Sequence, residues 1–297
     1  MKKIIILIHF LYFFVTIGFS QQASKIKDFE LPYITKNDVV VKHLGYTLSY
    51  NEKYEQANWV AYELTAKETE KVVGRSNDFR PDTDVRTGSA DNDDYKNSGY
   101  DRGHLAPAAD MGWSAQAMEE SFFYSNMSPQ TPGFNRGIWK RLEEQVRQWA
   151  VDNQAIYVVT GPVLKPNLAT IGHDKVAVPN YYYKVILDYT QPELKGIGFI
   201  MPNTSSTLAL SNYAVTIDSV ETVTGINFFP ALPNEQERSI EKSICLECWS
   251  WNATPTHKTK SVHSTSSSVQ CSGITKDGNR CKRMTKNASG FCSQHEN

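Results

Sequence analysis

The pattern of apolar and polar residues along the chain predicts an α+β fold. Alternating or continuous apolar runs predict β-strands in six places: residues 45–50, 58–65, 122–125, 155–163, 181–189 and 196–201. Residues 21–42, 75–99 and 126–135 lack such periodicity and are expected to be irregular or loops. We therefore expect a central antiparallel sheet with flanking helices.

The main helix is predicted at residues 135–149. Apolar residues recur there every three or four positions and form one helical face: Ile138, Leu142, Val146 and Trp149. Pro132 and Gly133 break regular structure just before this run, and Asn135 is a favourable N-cap residue. Shorter helices are expected in three places, with Ser114 capping the first: 114–120, 211–220 and 235–243.

The N-terminal residues 1–20 have the pattern of a signal peptide. Lys2 and Lys3 form a basic start, residues 4–17 are apolar, and Gly18 and Ser20 are small residues at a cleavage site. The apolar segment is short for a spanning helix, which needs about 20 residues, and an uncleaved membrane anchor is the alternative. This pattern predicts a secreted or periplasmic protein without stable membrane association after cleavage.

The composition fits one large domain with appendages. The chain has 297 residues, of which 40% are hydrophobic, so it can bury a sizeable mixed core. Its formal net charge of -1 is not typical of a dedicated nucleic-acid-binding protein. A nucleic-acid partner would therefore have to be held by a localised basic site.

Residues 100–149 contain the side chains with the clearest catalytic chemistry. His104 can accept a proton from water near neutral pH, because a histidine has an ordinary pKa of about 6.5. Asn and Glu oxygens suit a hard cation such as Mg²⁺, and arginines grip phosphate with two donors. A base, a hard metal and a phosphate clamp are the parts needed for phosphodiester hydrolysis. Glu143 and Arg147 are helical neighbours, and an ordinary surface ion pair is the alternative reading.

The motifs of this stretch resemble the DNA/RNA non-specific endonuclease family. In chain order they are Asp101-Arg102-Gly103-His104, Asn126-Met127-Ser128-Pro129-Gln130, Asn135, Trp139 and Leu142-Glu143. The resemblance covers residues 45–232 and implies a ββα-metal (His-Me finger) nuclease fold. It also implies metal-dependent cleavage of DNA and RNA with little sequence preference, since phosphate contacts carry no base information. Some members of the family are dimers, so the resemblance allows a homodimer.

The same resemblance assigns roles to the site residues. His104 is expected to be the general base, and Asn135 the direct ligand of one Mg²⁺ or Mn²⁺ ion. Glu143 is expected to bind that ion through water. Asn126 is expected to be a buried hydrogen-bonding residue that shapes the site, and Asp101 a structural acceptor.

Three arginines are expected to support the phosphate or the transition state. Arg102 and Arg147 match the family motif, and we place the third at Arg75, with Arg80 as the competing choice. The products would carry 5′-phosphates. Two other classes remain open at this point: a catalytically inactive nucleic-acid-binding module, and a phosphodiesterase that acts on another substrate.

The C-terminal part predicts a small metal-binding module at residues 269–297, beyond a nuclease domain at 21–250 and a flexible linker at 251–268. Four residues of the module suit tetrahedral zinc: Cys271, Cys281, Cys292 and His295. A disulfide pair with one free thiol is the alternative. The module is rich in basic residues, so it could hold nucleic acid or another partner. Cys245 and Cys248 are expected to form a local disulfide, and the alternative is that they join the tail cysteines in metal binding.

Overall fold

The computed structural model describes residues 28–190, 194–251 and parts of the tail: 269–272, 274–275, 279–285, 292 and 295. The predicted signal peptide lies outside the described residues, as does the predicted linker except residue 251. None of the described helices is both long and apolar enough to cross a membrane.

A seven-stranded antiparallel sheet forms the centre of the fold. The strands in the described part are β1 Val39–Lys42, β2 Thr47–Asn51, β3 Gln56–Thr65, β4 Asp101–His104, β5 Met127–Gln130, β6 Ala155–Pro162, β7 Thr170–Ile171, β8 Val176–Ala177, β9 Tyr181–Asp188, β10 Lys195–Pro202, β11 Ala214–Val215, β12 Val269–Gln270 and β13 Met284–Thr285. The sheet order is β1-β2-β3-β6-β9-β10-β11, with antiparallel neighbours throughout. The predicted α+β class with a central antiparallel sheet is confirmed.

Helices cover both faces of this sheet. The α-helices of the described part are α1 Asn92–Tyr95, α2 Ala115–Glu120, α3 Lys140–Asp152, α4 Ile217–Thr224 and α5 Asn234–Lys242. On β6, Ile156 and Val158 belong to the core that includes α3, whereas Val159 belongs to the core that includes α4 and α5. This division follows from the two-residue period of a strand, which sends successive side chains to opposite faces.

The helix that carries the candidate site begins differently from the prediction. A π-type turn, Phe134–Trp139, leads directly into α3, and Gly137 interrupts it with a non-helical φ of -107° and ψ of -109°. Gly133 occupies the N-cap, so the prediction of Asn135 as N-cap is wrong. The side chain of Asn135 bonds to Asp101 instead, because the widened first turn places it inside the helix.

The apolar face predicted for this helix is confirmed. Leu142 and Trp149 are fully buried, and Val146 is 1% exposed. Burial of side chains of this size stabilises the fold by roughly 1.5–3 kcal/mol each. The indole Nε1 of Trp149 also donates to the Ser250 carbonyl at 2.6 Å, which ties the segment after α5 to the helix. The predicted disulfide between Cys245 and Cys248 is present in that segment.

Two local predictions close to the candidate site need correction. Residues 122–125 do not form a strand, because the chain closes into a 3-10 turn, Tyr124–Asn126, immediately after Phe123. The expected loop at 126–135 instead starts with β5, which pairs with β4 so that His104 lies opposite Met127. Gly103 is required in this ribbon, because a Cβ at that position would lie 2.2 Å from Cδ of Gln130.

Candidate active site

A cavity of about 350 Å³ lies where β4 faces the start of α3. Eleven residues line it: Arg75, Arg102, His104, Pro107, Ala108, Ala109, Asn135, Arg136, Lys140, Glu143 and Arg147. Six of the seven active-site residues proposed from the sequence are therefore brought together, and Asn126 is the one that does not line the cavity. Arg136 and Lys140 add positive charge to the cavity that was not predicted from the sequence.

His104 ends strand β4 and is held in an apolar environment. It is 8% exposed, and the ring of Phe122 meets it edge-on with centroids 4.9 Å apart. Burial, reinforced by the charge of Arg75, lowers the pKa of His104 to about 3. The imidazole is therefore neutral near pH 7. Its Nε2 atom is buried without a hydrogen-bond partner among the described residues, which leaves it available to accept a proton.

Asn126 fixes the chain just after His104. Its Oδ1 accepts from the backbone N–H of Ala106 at 2.9 Å, and its Nδ2 donates to the carbonyls of Ala106 and Ser121 at 2.9 and 2.8 Å. The side chain is fully buried. These contacts fit the shaping function expected for Asn126, which acts from behind the cavity.

Asp101 orients the side chain of Asn135. Its Oδ2 accepts from Asn135 Nδ2 at 2.9 Å, and Arg136 donates to both of its oxygens at 2.8 and 2.6 Å. Burial alone would raise the pKa of Asp101, but these hydrogen bonds from Arg136 and Asn135 hold it below the usual value. Because the amide nitrogen of Asn135 is engaged, its amide oxygen remains as the donor for a cation.

Glu143 faces the cavity from the first turn of α3. Burial raises its pKa to about 7, although the charges of Lys184 and Arg147 favour the ionised form. The ordinary Glu143–Arg147 surface pair is not formed in the described structure. Arg147 instead pairs with the fully buried Asp110, with Nη1 2.7 Å from Oδ1. Glu143 is thus left without a competing ion pair among the described residues.

Buried charged groups lie near Glu143 and interact with it electrostatically. The second oxygen of Asp110 accepts from the hydroxyl of Tyr62 at 2.8 Å. Lys184 on β9 is fully buried, its Nζ lies 4.8 Å from the ring centroid of Trp139, and it finds no hydrogen-bond partner in the described structure. Burial lowers the pKa of Lys184 to about 8, against the attraction of Glu143.

Aromatic rings contact two of the arginines that line the cavity, Arg75 and Arg102. The guanidinium of Arg75 lies 4.8 Å from the ring centroid of Phe122, and its Nε donates to Asn77 at 2.8 Å. Arg102 lies over the ring of Phe79 at 5.1 Å and donates to the hydroxyl of Tyr124 at 3.0 Å.

Arg80, the competing choice for the third arginine, does not line the cavity. It pairs instead with Asp78 at 3.0 Å and Glu119 at 3.5 Å. The structure therefore favours Arg75 as the third arginine of the site.

The donor set of the cavity suits a hard cation. Asn135 and Glu143 offer one amide oxygen and one carboxylate, and a Mg²⁺-type ion bound by so few protein ligands keeps most of its waters. Asp110 and Lys184 also belong to the site, although neither was predicted from the sequence. A lysine within the apolar run 181–189 was a usable signal, because lysine is almost never fully buried without a partner. Asp110 carried no comparable signal, since its surroundings have no periodicity.

The four predicted zinc ligands of the tail also come together. One ligand atom from each lies within 4.8 Å of the others: Cys271, Cys281, Cys292 and His295. Nδ1 of His295 is 3.5 and 3.4 Å from the sulfurs of Cys271 and Cys292, and the Cys281 and Cys292 sulfurs are 3.9 Å apart. Nε2 of His295 lies 3.0 Å from the carbonyl of Ile274, so it donates there and leaves Nδ1 as the ligand.

The chain is similar in sequence to known nucleases. The family model described as DNA/RNA non-specific endonuclease matches residues 25–235. The mitochondrial nuclease EXOG of Danio rerio is 36% identical over 214 residues, 65% of this chain and 62% of the relative, so the chain spans less than two thirds of it. Mitochondrial endonuclease G of Homo sapiens is 36% identical over 204 residues, 63% of this chain and 68% of the relative.

A solved structure of the EndoG/EndoGI complex supports the fold. The matched chain is 35% identical, and the TM-score is 0.64 over 69% of this chain and 90% of that chain. The ββα-metal fold implied by the motifs is therefore confirmed. The catalytic role of each residue and the homodimer stay predictions.

The predicted location of the protein is corrected by these relatives. The N-terminal pattern led to the expectation of a secreted or periplasmic protein, but EXOG and endonuclease G are mitochondrial nucleases. These relatives therefore contradict the expected secreted location. Residues 1–20, on which the expectation of export rested, lie outside the described residues.

Proposed function

Because the chain belongs to the DNA/RNA non-specific endonuclease family, we propose that it is a metal-dependent endonuclease that hydrolyses phosphodiester bonds of DNA and RNA. One observation carries this proposal. A neutral, buried histidine with an unpartnered nitrogen faces the same cavity as Asn135, Glu143 and four arginines. A base, cation donors and phosphate-binding groups in one cavity are the requirements of phosphodiester hydrolysis.

In the proposed reaction each of these groups has a role. His104 takes a proton from a water molecule, whose oxygen forms a bond to phosphorus in line with the 3′ oxygen. The bond from phosphorus to that 3′ oxygen breaks, the leaving oxygen takes a proton from water, and the phosphate stays on the 5′ side. Arg75, Arg102 and Arg147 are placed to bind the phosphate oxygens, and Arg147 is held in position by Asp110.

Asn135 and Glu143 would hold the ion, Asn135 directly through its amide oxygen and Glu143 through a bound water. A Mg²⁺- or Mn²⁺-type ion, when bound, supplies positive charge for the developing phosphate and leaving-group charges. Asp101 keeps the Asn135 oxygen turned away from itself by holding the amide nitrogen. Low sequence preference follows, because every group in this cavity addresses the phosphate rather than a base edge.

The test is cleavage of plasmid DNA and of a structureless RNA by the purified chain, with Mg²⁺ and with chelator. His104→Ala should abolish cleavage of both substrates, and Asn135→Ala should make cleavage require far more Mg²⁺. The matched control is His173→Ala, since this histidine is 61% exposed and lies outside the cavity. It should cleave like the wild type.

Each outcome separates the candidate functions. Undiminished cleavage by His104→Ala would mean that another group is the base. Tight binding of nucleic acid without any cleavage by the folded wild type would favour an inactive binding module. Faster hydrolysis of a small phosphodiester than of DNA or RNA would favour a phosphodiesterase with another substrate.

A second, independent part of the proposal concerns the tail, which we infer holds a structural zinc ion. Zn–S bonds of about 2.3 Å and a Zn–N bond of about 2.05 Å give tetrahedral edges of about 3.8 Å between sulfurs and about 3.6 Å between sulfur and nitrogen. The measured separations are 3.9 Å for one sulfur pair and 3.5 and 3.4 Å for the sulfur–nitrogen pairs. The backbone N–H of Cys292 donates to the Cys271 sulfur at 3.2 Å, which favours a thiolate there.

Four protein ligands leave no open position, so this zinc would hold the tail together and take no part in hydrolysis. Elemental analysis of the purified chain should give one zinc per molecule, and Cys281→Ser should lose it while keeping nuclease activity. A disulfide among these cysteines, seen as two fewer titratable thiols with no bound metal, would refute the zinc site.

A further inference from the structure

Three carboxylates meet between α4 and α5, on the face of the sheet opposite the nuclease cavity. Asp218 and Glu221 are three residues apart on α4, and Glu241 comes from the last turns of α5. One oxygen of each lies within 4.8 Å of the others. Carboxylates placed this close repel one another unless a proton or a cation lies between them.

Glu241 points to a ligand independently of its neighbours. It is only 6% exposed, and its Oε1 is buried without a hydrogen-bond partner among the described residues. A buried carboxylate oxygen without a partner is costly, so such groups are normally paired or bound to a metal. The orphan atom therefore marks an unmet requirement for positive charge or a donor.

The charged groups near Glu241 in the described part of the chain do not meet this requirement. Glu237 adds a further negative charge, and together with Glu221 and Asp218 it disfavours ionisation of Glu241. Lys165 approaches α4, but its Nζ donates to the carbonyl of Val223 at 2.6 Å. Lys242 follows Glu241 in the chain and is exposed to solvent.

We propose that Asp218, Glu221 and Glu241 bind a calcium-type divalent cation between α4 and α5. Carboxylate oxygens are hard donors, and Ca²⁺ accepts irregular arrangements of them more readily than Mg²⁺, which demands a near-ideal octahedron. Glu221 is already oriented for this, because its Oε1 accepts from the backbone N–H of Phe228 at 2.8 Å and fixes the carboxylate.

The ion would fasten the two helices to each other and to the sheet. Ile217 on α4 and Ile240 on α5 both press on Gly196, where a Cβ would lie 2.6 and 2.8 Å from their methyl carbons. Each isoleucine is adjacent in sequence to one of the proposed ligands. The site lies on the side of the sheet away from His104, so its effect is on stability and not on chemistry.

The competing explanation is that Glu241 keeps a proton instead of binding a cation. This explanation predicts a different pH dependence of stability. Burial, reinforced by Glu221, Glu237 and Asp218, raises the pKa of Glu241 to about 8. Without a cation, the folded state binds this proton between the ordinary carboxyl pKa and about 8, so stability is lost as the pH rises through 8. A cation would restore stability above that pH, and a proton would not.

The experiment is thermal unfolding of the full chain at pH 9 over a range of CaCl₂ concentrations. An Asn135→Ala background removes the proposed ion of the nuclease cavity. At 100 times the dissociation constant, the cation should raise Tm by about 5–10 °C, and isothermal titration should show one Ca²⁺ per chain. Glu241→Gln and Asp218→Asn should each abolish the rise, whereas the exposed control Glu235→Gln should keep it.

Two results would overturn the proposed cation site. A chain that is stabilised by lowering the pH from 9 to 7 but does not respond to Ca²⁺ would show that Glu241 simply keeps a proton, which overturns the proposal. An equal Tm rise in Glu241→Gln and in its parent would place the cation elsewhere and also overturn it. Neither outcome affects the nuclease proposal, since His104→Ala and Asn135→Ala test that function at a different site.

Discussion

Replacing Lys184 with methionine should lower nuclease activity while leaving the stability of the fold unchanged or higher. The ammonium group of Lys184 is fully buried, has no hydrogen-bond partner among the described residues, and interacts electrostatically with Glu143. Methionine has a similar length and needs no partner. Exchange of a buried charge for an apolar side chain of similar volume is often neutral or stabilising by about 1–4 kcal/mol. We therefore expect Lys184→Met to unfold at the same or a higher urea concentration.

The activity should change in the opposite direction. The pKa of Glu143 is about 7 with the positive charge of Lys184 nearby. Loss of an adjacent opposite charge raises a carboxyl pKa by about 1–3 units, and a rise of one unit lowers the ionised fraction at pH 7 about fivefold. The rate at pH 7 should fall at least about fivefold in Lys184→Met, and much of it should return at pH 9.

The assay is the initial rate of cleavage of a fluorescent oligonucleotide between pH 6 and 9 at saturating Mg²⁺. Lys195→Met is the matched control, because Lys195 on the neighbouring strand β10 is mostly buried, lies over Trp249 and pairs with Asp188 at 3.3 Å. It should change stability without moving the pH profile. In a Glu143→Gln background, Lys184→Met should have no additional effect on rate. A wild-type pH profile for Lys184→Met would refute a role of this charge in the state of Glu143.

Three further predictions follow from the geometry. Asp110→Asn should lower the free energy of unfolding by about 3 kcal/mol, because it leaves Arg147 without its buried counter-ion. The control Asp78→Asn, in the exposed pair with Arg80, should lower it by less than about 0.5 kcal/mol. Urea denaturation of both variants measures these changes. His104 cannot take a proton in the folded state until the pH nears 3. The free energy of unfolding should therefore fall as the pH decreases below about 6.5, by up to about 1.4 kcal/mol per pH unit. In His104→Asn this contribution to the pH dependence of stability should be absent. Gly103→Ala should lower the free energy of unfolding by about 1–3 kcal/mol and should reduce cleavage by displacing His104. In the control Gly74→Ala the new Cβ meets no atom within 4 Å, so neither stability nor cleavage should change. A stable, fully active Gly103→Ala would refute this prediction.

The main elements of the fold could be predicted because local periodicity specified them. The two-residue alternation at 58–65 and the helical spacing of Leu142, Val146 and Trp149 reflect burial on one face, and tertiary packing did not override it. The start of the site helix could not be predicted in the same way. Its π-type turn at Phe134–Trp139 has no periodic signal in the sequence, and the Asn135 side chain in it bonds to Asp101, which is distant in sequence.

The sequence by itself determined which side chains could perform the chemistry. A histidine, an asparagine, a glutamate and several arginines at these intervals indicated phosphodiester hydrolysis, and the spacing of Cys271, Cys281, Cys292 and His295 indicated a tetrahedral metal site. Chemical identity is a property of the residue, so it can be read without coordinates.

Only the tertiary structure decided how these side chains are tuned. Burial against Phe122 makes His104 a neutral base, Asp110 takes Arg147 away from Glu143, and Lys184 brings a positive charge across from the sheet. The three carboxylates between α4 and α5 likewise come from segments with no common motif. Desolvation and pairing depend on which distant segments meet, and no local pattern in the sequence records that.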